Sequence, residues 1–297
     1  MTGSFCIFVY RKKRIMKTLL VPVDFTDSSD NAVNFAVEWA KKYLYERIIL
    51  LRSFYSSMYE NMIMSADFSN VNEEYLNKKR SDEREMLNQL CSQVDQQTGK
   101  GIQVQTAVTE LPLIRSIIEM MNEEKPEMIL VGSDKQHADN ESFVAGNVIA
   151  IARVSPVRVL IVPEGRNYQK IEKALVPVDF KSVASLNKIN RLRSSPRWHE
   201  VEILALNVDA AQKNLNPDEQ FKQSEENLHN YLKNFRHSIY YEPDKNVING
   251  ILNFKRLNEV QLMIALPGVH SFLYSLTHKS ISEALYKKCP LPVMILK

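Results

Sequence analysis

Hydrophobic residues fall along this chain in short unbroken runs, separated by longer stretches with a helical period. Ile48-Ile49-Leu50-Leu51 and Val159-Leu160-Ile161-Val162 are such runs. They fit strands buried on both faces of a parallel sheet better than strands with one wet face. Strands are predicted near 18–24, 47–54, 102–109, 127–132 and 157–162, and again near 173–179, 201–208, 237–242, 260–266 and 291–296. Between them, apolar positions recur at spacings of three and four. Ala32, Phe35, Ala36 and Trp39 share one face of a helix that starts after Asp27-Ser28-Ser29, residues that offer caps. A long helix, charged on its outside, is expected over 72–98, ending before Gly99 and Gly101, with further helices over 111–121 and 143–154. Later helices are expected over 182–192, 217–235, 245–257 and 279–288. This alternation predicts an α/β fold with a parallel sheet covered by helices on both faces.

The pattern occurs twice. Leu20-Val21-Pro22-Val23-Asp24-Phe25 recurs unchanged as Leu175-Val176-Pro177-Val178-Asp179-Phe180, and the same succession of elements follows each copy. The expected architecture is two tandem open parallel five-stranded sheets with helices on both faces. One domain spans 16–165 and the other 166–297, divided near the polar turn Pro163-Glu164-Gly165-Arg166. Residues 55–71, with Met58, Met62 and Met64, have no counterpart in the second copy; they read as a packed surface loop, with a lid or partner-binding segment as the alternative. Residues 1–15 stand apart. Phe5 to Tyr10 is apolar but too short for a bilayer, and the basic tetrad Arg11 to Arg14 follows it rather than leading, unlike a secretory signal. They are read as an upstream-extended start or a tail, so no membrane association is expected.

Composition narrows the function classes. With 44% hydrophobic and 25% charged residues the chain is that of an ordinary globular protein. Its 38 basic and 35 acidic residues give +3, and setting the tetrad aside leaves −1, which argues against a nucleic-acid binder. Cys6, Cys91 and Cys289 are far apart and form no CxxC pair, which fits free thiols and a cytoplasmic location. The histidines, His137, His199, His229, His237, His270 and His278, show no metal-ligand spacing. There is no nucleophile elbow and no P-loop. Asp134, His137 and Asp139 cluster in one loop and read as solvated polar residues rather than an acid–base set. No catalytic residue and no metal site are expected.

In an open parallel sheet, ligands bind beyond the C-terminal ends of the strands. Asp24 and Asp179 end the first strand of each copy. A carboxylate there can accept hydrogen bonds from a ribose, or it can cap the next helix and brace the loop; the residues alone favour neither. Leu19 to Asp24 and its second copy, Met128-Ile129-Leu130-Val131-Gly132-Ser133, and Ser280 to Leu285 leading to Cys289-Pro290-Leu291-Pro292-Val293 resemble the universal stress protein family over residues 16–297. Members that bind ATP carry Gly-x2-Gly-x9-Gly-Ser/Thr. The first copy keeps the spacing as Gly132, Lys135 and Ala145-Gly146, with only the first glycine matched. The second gives Leu266, Val269 and Lys279-Ser280, with only the hydroxyl kept.

Glycine lets a backbone approach phosphate or take a positive φ, which β-branched Val269 resists and bulky Leu266 obstructs. The resemblance thus implies a degenerate nucleotide site, with Asp24, Gly132, Ser133, Lys135, Gly146, Asp179 and Ser280 as its candidate residues. ATP binding is expected to be weak or absent in the first copy and absent in the second, with no cofactor required. The expected function is that of a non-enzymatic, cytoplasmic stress-response or regulatory protein acting on an unidentified protein partner. The alternative is a nucleotide-binding module in the first copy with slow ATPase activity. Family homodimers commonly join through their last strands, so 157–162 and 291–296 are expected to pair within the chain; a further homodimer of chains is compatible with this.

Overall fold

A computed structural model of the chain describes residues 16–54, 69–134, 143–209, 211–266 and 291–297. The basic tetrad, the methionine-bearing segment, Lys135, Val269, Lys279 and Ser280 lie outside the described residues.

The first half runs β1 (Thr18–Val23), α1 (Asp27–Tyr43), β2 (Arg47–Ser53), α2 (Ser69–Thr98), β3 (Gln103–Thr109), α3 (Leu113–Glu123), β4 (Met128–Ser133), α4 (Phe143–Gly146), α5 (Val148–Val154) and β5 (Arg158–Pro163). The second runs β6 (Lys173–Pro177), 3-10 segments at Phe180–Ser194 and Pro196–Glu200, β7 (Glu202–Val208), α6 (Glu219–Leu232), β8 (Arg236–Glu242), α7 (Val247–Leu257), β9 (Leu262–Ala265) and β10 (Val293–Ile295). Every strand predicted from an apolar run is present. The helix expected over 143–154 is instead two, because Asn147 leaves the helical conformation at φ −103°, ψ 3°.

The ten strands form one sheet in the order β3-β2-β1-β4-β5-β10-β9-β6-β7-β8. The two expected five-stranded sets are present, joined edge to edge into a single sheet through the expected pairing of the last strands. Each half does contribute five mutually parallel strands, but β10 pairs antiparallel with β5, through Val293↔Ile161, Met294↔Leu160 and Ile295↔Val159. Two final strands of apolar residues would otherwise be open sheet edges, and pairing removes both. Because the join is antiparallel, the C-terminal ends of the strands point to opposite edges of the sheet in the two halves.

Strand residues alternate between two cores. Leu19, Val21 and Val23 face the layer with Phe35 and Trp39 of α1, Leu87 of α2 and Leu228 of α6. Leu20, Ile129 and Val131 face the layer with Ile117 of α3, Ile151 of α5 and Ile251 of α7. The first layer is continuous across the seam. Trp39 and Tyr43 stack at 4.1 Å, and Trp198 of the second half lies 5.5 Å from Tyr43 and 6.5 Å from Trp39. Lys42 and Glu200 close the rim of this cluster at 3.5 Å.

The segment 180–194, expected to be an α-helix over 182–192, winds as a 3-10 helix. Its buried residues Leu186, Ile189 and Leu192 recur every three positions, and a helix with three residues per turn sets them on one face. α1, by contrast, buries Ala32, Phe35, Ala36, Trp39, Ala40 and Tyr43 at the α-helical period.

Candidate functional site

In the first half, β2 and β3 lie to one side of β1, and β4 and β5 to the other. The crevice where strand order reverses is therefore at the C-terminal ends of β1 and β4. Asp24, Gly132 and Ser133 are all there.

Gly132 lies directly under the start of α1. A Cβ at this position would stand 2.1 Å from the Ser28 carbonyl oxygen and 2.6 Å from its carbon. Here glycine serves helix–strand packing. Leu266, just after β9, stands where Gly132 stands near the end of β4, and its side chain is buried in the core. A side chain at that place leaves no room for the close backbone approach that Gly132 permits. Ser133 is buried, and its carbonyl accepts from the Glu164 amide at 2.8 Å, tying the crevice floor to the turn that follows β5. Gly165 takes φ +71° in that turn, and the Asn31 amide of α1 donates to the carbonyls of Pro163 and Arg166, both at 3.2 Å.

Asp24 is engaged by the protein itself. One carboxylate oxygen accepts the Val144 amide at 2.8 Å, at the start of α4. The other accepts the Thr26 hydroxyl at 2.6 Å and the Thr26 amide at 3.4 Å. Thr26 in turn caps α1 by accepting from the Ser29 amide. Of the two readings the sequence left open for this carboxylate, these contacts are those of a brace between β1, α1 and α4. Asp27 and Asp30 occupy the first turn of the same helix. Burial, with Asp27 and Asp24 adding to it, pushes the Asp30 carboxyl above its usual range. Negative charge crowds this edge, which opposes a polyphosphate.

On the β2 side of β1, an ion pair lies next to the strand end. Arg52 stands opposite Val23 in the β1–β2 register and makes two hydrogen bonds to Glu83 of α2, at 2.6 and 2.8 Å. Both side chains are about 15% exposed (15% and 14%). The guanidinium also lies 5.1 Å from the ring of Phe25, which is held at φ 59°. A bulky residue rarely takes that conformation, so its surroundings must hold it there. Sequence reading missed this trio. A charged residue ending an otherwise apolar strand run was its available signal, since a buried arginine requires a partner.

Gly146 ends α4, with open space around it. Asp179 is half-buried at the end of β6 and lies at the opposite edge of the sheet from Asp24. Candidate residues in the two halves therefore do not come together. Lys135 and Ser280 lie outside the described residues. Among the described residues, no group of three or more His, Cys, Asp or Glu side chains could hold a metal ion, and no helix is long and apolar enough to cross a membrane.

A family model described as the universal stress protein family matches residues 16–163. No curated protein matches the chain. Among solved structures, the chain is similar to a universal stress protein from Archaeoglobus fulgidus DSM 4304. The TM-score is 0.64 at 15% identity, covering 95% of this chain and 98% of that one. It is also similar to a functionally unknown protein from Pseudomonas aeruginosa PAO1, with a TM-score of 0.53 at 13% identity over 95% and 92% of the two chains. At these identities the likeness is one of fold, and it extends over both halves.

Proposed function

The chain belongs to the universal stress protein family through residues 16–163, and from that premise we propose that it is a non-enzymatic cytoplasmic stress-response or regulatory protein with reduced or lost nucleotide binding. It acts through its surfaces on a protein partner. One observation carries this reading: the carboxylate of Asp24, at the switch point of the sheet, accepts the Val144 amide and the Thr26 hydroxyl and so already serves the protein's own loops. A nucleoside entering there would have to break charge-assisted hydrogen bonds worth roughly 1.5–3 kcal/mol each.

A second reading keeps a nucleotide in the first half, with slow ATPase activity. Its support is that Asp24 and Gly132 both stand at the switch point of the sheet. Heat release and chromatography of the purified full chain, with calorimetric titration by ATP, separates the two. The expected result is no retained nucleotide and no saturable binding in the micromolar range. Tight binding, unaltered when Lys135→Gly, Ala145→Gly and Gly146→Ser are introduced together, would overturn the proposal.

A further inference from the structure

His229 stands near the C-terminal end of α6, and His237 is the second residue of the edge strand β8. Eight positions apart on different elements, they form no motif a sequence scan would find. The turn between helix and strand brings His229 Nδ1 to 2.9 Å from His237 Nε2, with ring centroids 5.2 Å apart. His237 Nδ1 lies 3.0 Å from the Phe235 carbonyl oxygen. A carbonyl only accepts, so Nδ1 carries the hydrogen, and the neutral ring turns the Nε2 lone pair toward His229. A ring N–H fixed on a backbone carbonyl is the support that metal-ligating histidines almost always have. His229 is exposed and His237 half-buried, at an edge open to solvent.

The separation is that of a hydrogen bond between the rings, and it also lets both nitrogens reach a single ion. Two imidazole nitrogens about 2.05 Å from one ion stand about 2.9 Å apart at a right angle and about 3.3 Å apart at the tetrahedral angle. At 2.9 Å both nitrogens can reach one ion at a right angle, the angle of the tetragonal and square geometries that Cu2+ and Ni2+ favour, once the exposed His229 ring turns its lone pair off the line to His237. We propose that His229 Nδ1 and His237 Nε2 form a two-imidazole chelating site for a divalent transition metal, Cu2+ or Ni2+, with water in its remaining positions. No third His, Cys, Asp or Glu joins the pair among the described residues, so those positions stay exchangeable. When the ion enters, the hydrogen on His229 Nδ1 is given up to water and another is taken at its outward Nε2. The ring stays neutral and both facing lone pairs go to the metal.

Cu2+ titration of the full chain in a non-chelating buffer tests this, read by calorimetry and by the nitrogen hyperfine pattern in electron paramagnetic resonance. Wild type and His199→Ala should show one saturable site with two nitrogen ligands. His229→Ala, His229→Gln and His237→Ala should each weaken it by at least about tenfold, the lower end of what losing even an outer-shell partner costs, and leave one nitrogen. Far-UV circular dichroism checks that each variant is folded, and the exposed His229 makes its two variants safe in that respect. No saturable Cu2+ binding by wild type overturns the proposal. So does a site that persists unchanged in a folded His229 variant, or one that weakens as much in His199→Ala.

Discussion

Replacing Gly132 by alanine should cost the protein far more than one methyl group suggests. The added Cβ would fall 2.1 Å from the Ser28 carbonyl oxygen and 3.3 Å from the Ser29 amide nitrogen. Both belong to the backbone of α1, so no side chain can rotate aside. The helix start must retreat by more than an ångström to restore ordinary contact. That start is held by the Thr26 cap and by Ser29 Oγ, which accepts from the Asp24 amide at 3.1 Å. Overpacking of a rigid core costs about 1–3 kcal/mol, and loosening a helix cap adds about 1 kcal/mol. A total near 3 kcal/mol, at about 2–4 °C per kcal/mol for a protein of this size class, lowers the melting temperature by roughly 6–12 °C. Gly146→Ala is the control. Its Cβ meets nothing within 4 Å, and it sits in a helix, where alanine is favoured over glycine by up to about 1 kcal/mol. Thermal and urea unfolding followed by far-UV circular dichroism measures both. If Gly132→Ala melts with wild type while remaining folded, α1 does not rest on that glycine, and the packing account of the crevice fails.

Glu83→Gln should destabilise by about 2 kcal/mol, below the ~3–5 kcal/mol for breaking a fully buried pair because some solvent reaches both partners. The double variant Arg52→Met with Glu83→Leu should recover most of that loss in urea titrations. Asp24→Ala should lower stability by about 1–3 kcal/mol through the lost bonds to Val144 and Thr26, with no change in calorimetric ATP titrations. Trp39 and Trp198 are the two tryptophans of the chain and share one cluster. Single-tryptophan versions made by Trp39→Phe and Trp198→Phe should therefore show coincident unfolding midpoints by fluorescence, and separated midpoints would mean the halves melt independently. Burial, and then the Arg158 guanidinium, hold the Lys17 amine down to about 8, with Glu46 opposing. The unfolded chain therefore binds more protons between about pH 8 and 10.5, and stability attributable to Lys17 rises with pH across that window. The stability gap between Lys17→Met and wild type should shift in favour of wild type from pH 8 to 10.5, measured by urea unfolding.

The strands were legible because buried parallel strands leave unbroken apolar runs, and the repeat was legible because Leu20–Phe25 recurs unchanged as Leu175–Phe180. The joining of β5 to β10 could be anticipated, since Val159 to Val162 and Leu291 to Leu296 would be sticky edges if left unpaired. The helical type at 180–194 was not legible, because the spacing of Leu186, Ile189 and Leu192 suits either winding. Asp24 and Gly132 were found through spacing and resemblance, but spacing says nothing about what a carboxylate touches. Its bonds to Val144 and Thr26 depend on loops brought together over 120 positions of sequence separation. Arg52 and Glu83 are 31 positions apart, on a strand and a helix, and only folding makes them a pair.

Only three residue pairs join β5 to β10, and the Trp39–Tyr43–Trp198 cluster adds to the seam on one face. As an encounter between separate molecules such a seam would need support from concentration. Tethered through the short stretch from Pro163 to Lys173, the two halves meet at an effective concentration in the millimolar range. Fusion also frees the halves from symmetry. In a self-paired dimer every substitution is made twice, once on each side of the axis. Here one half can keep Gly132 under α1 while the other carries a buried Leu266 at the matching place, and each face of the assembly can change alone.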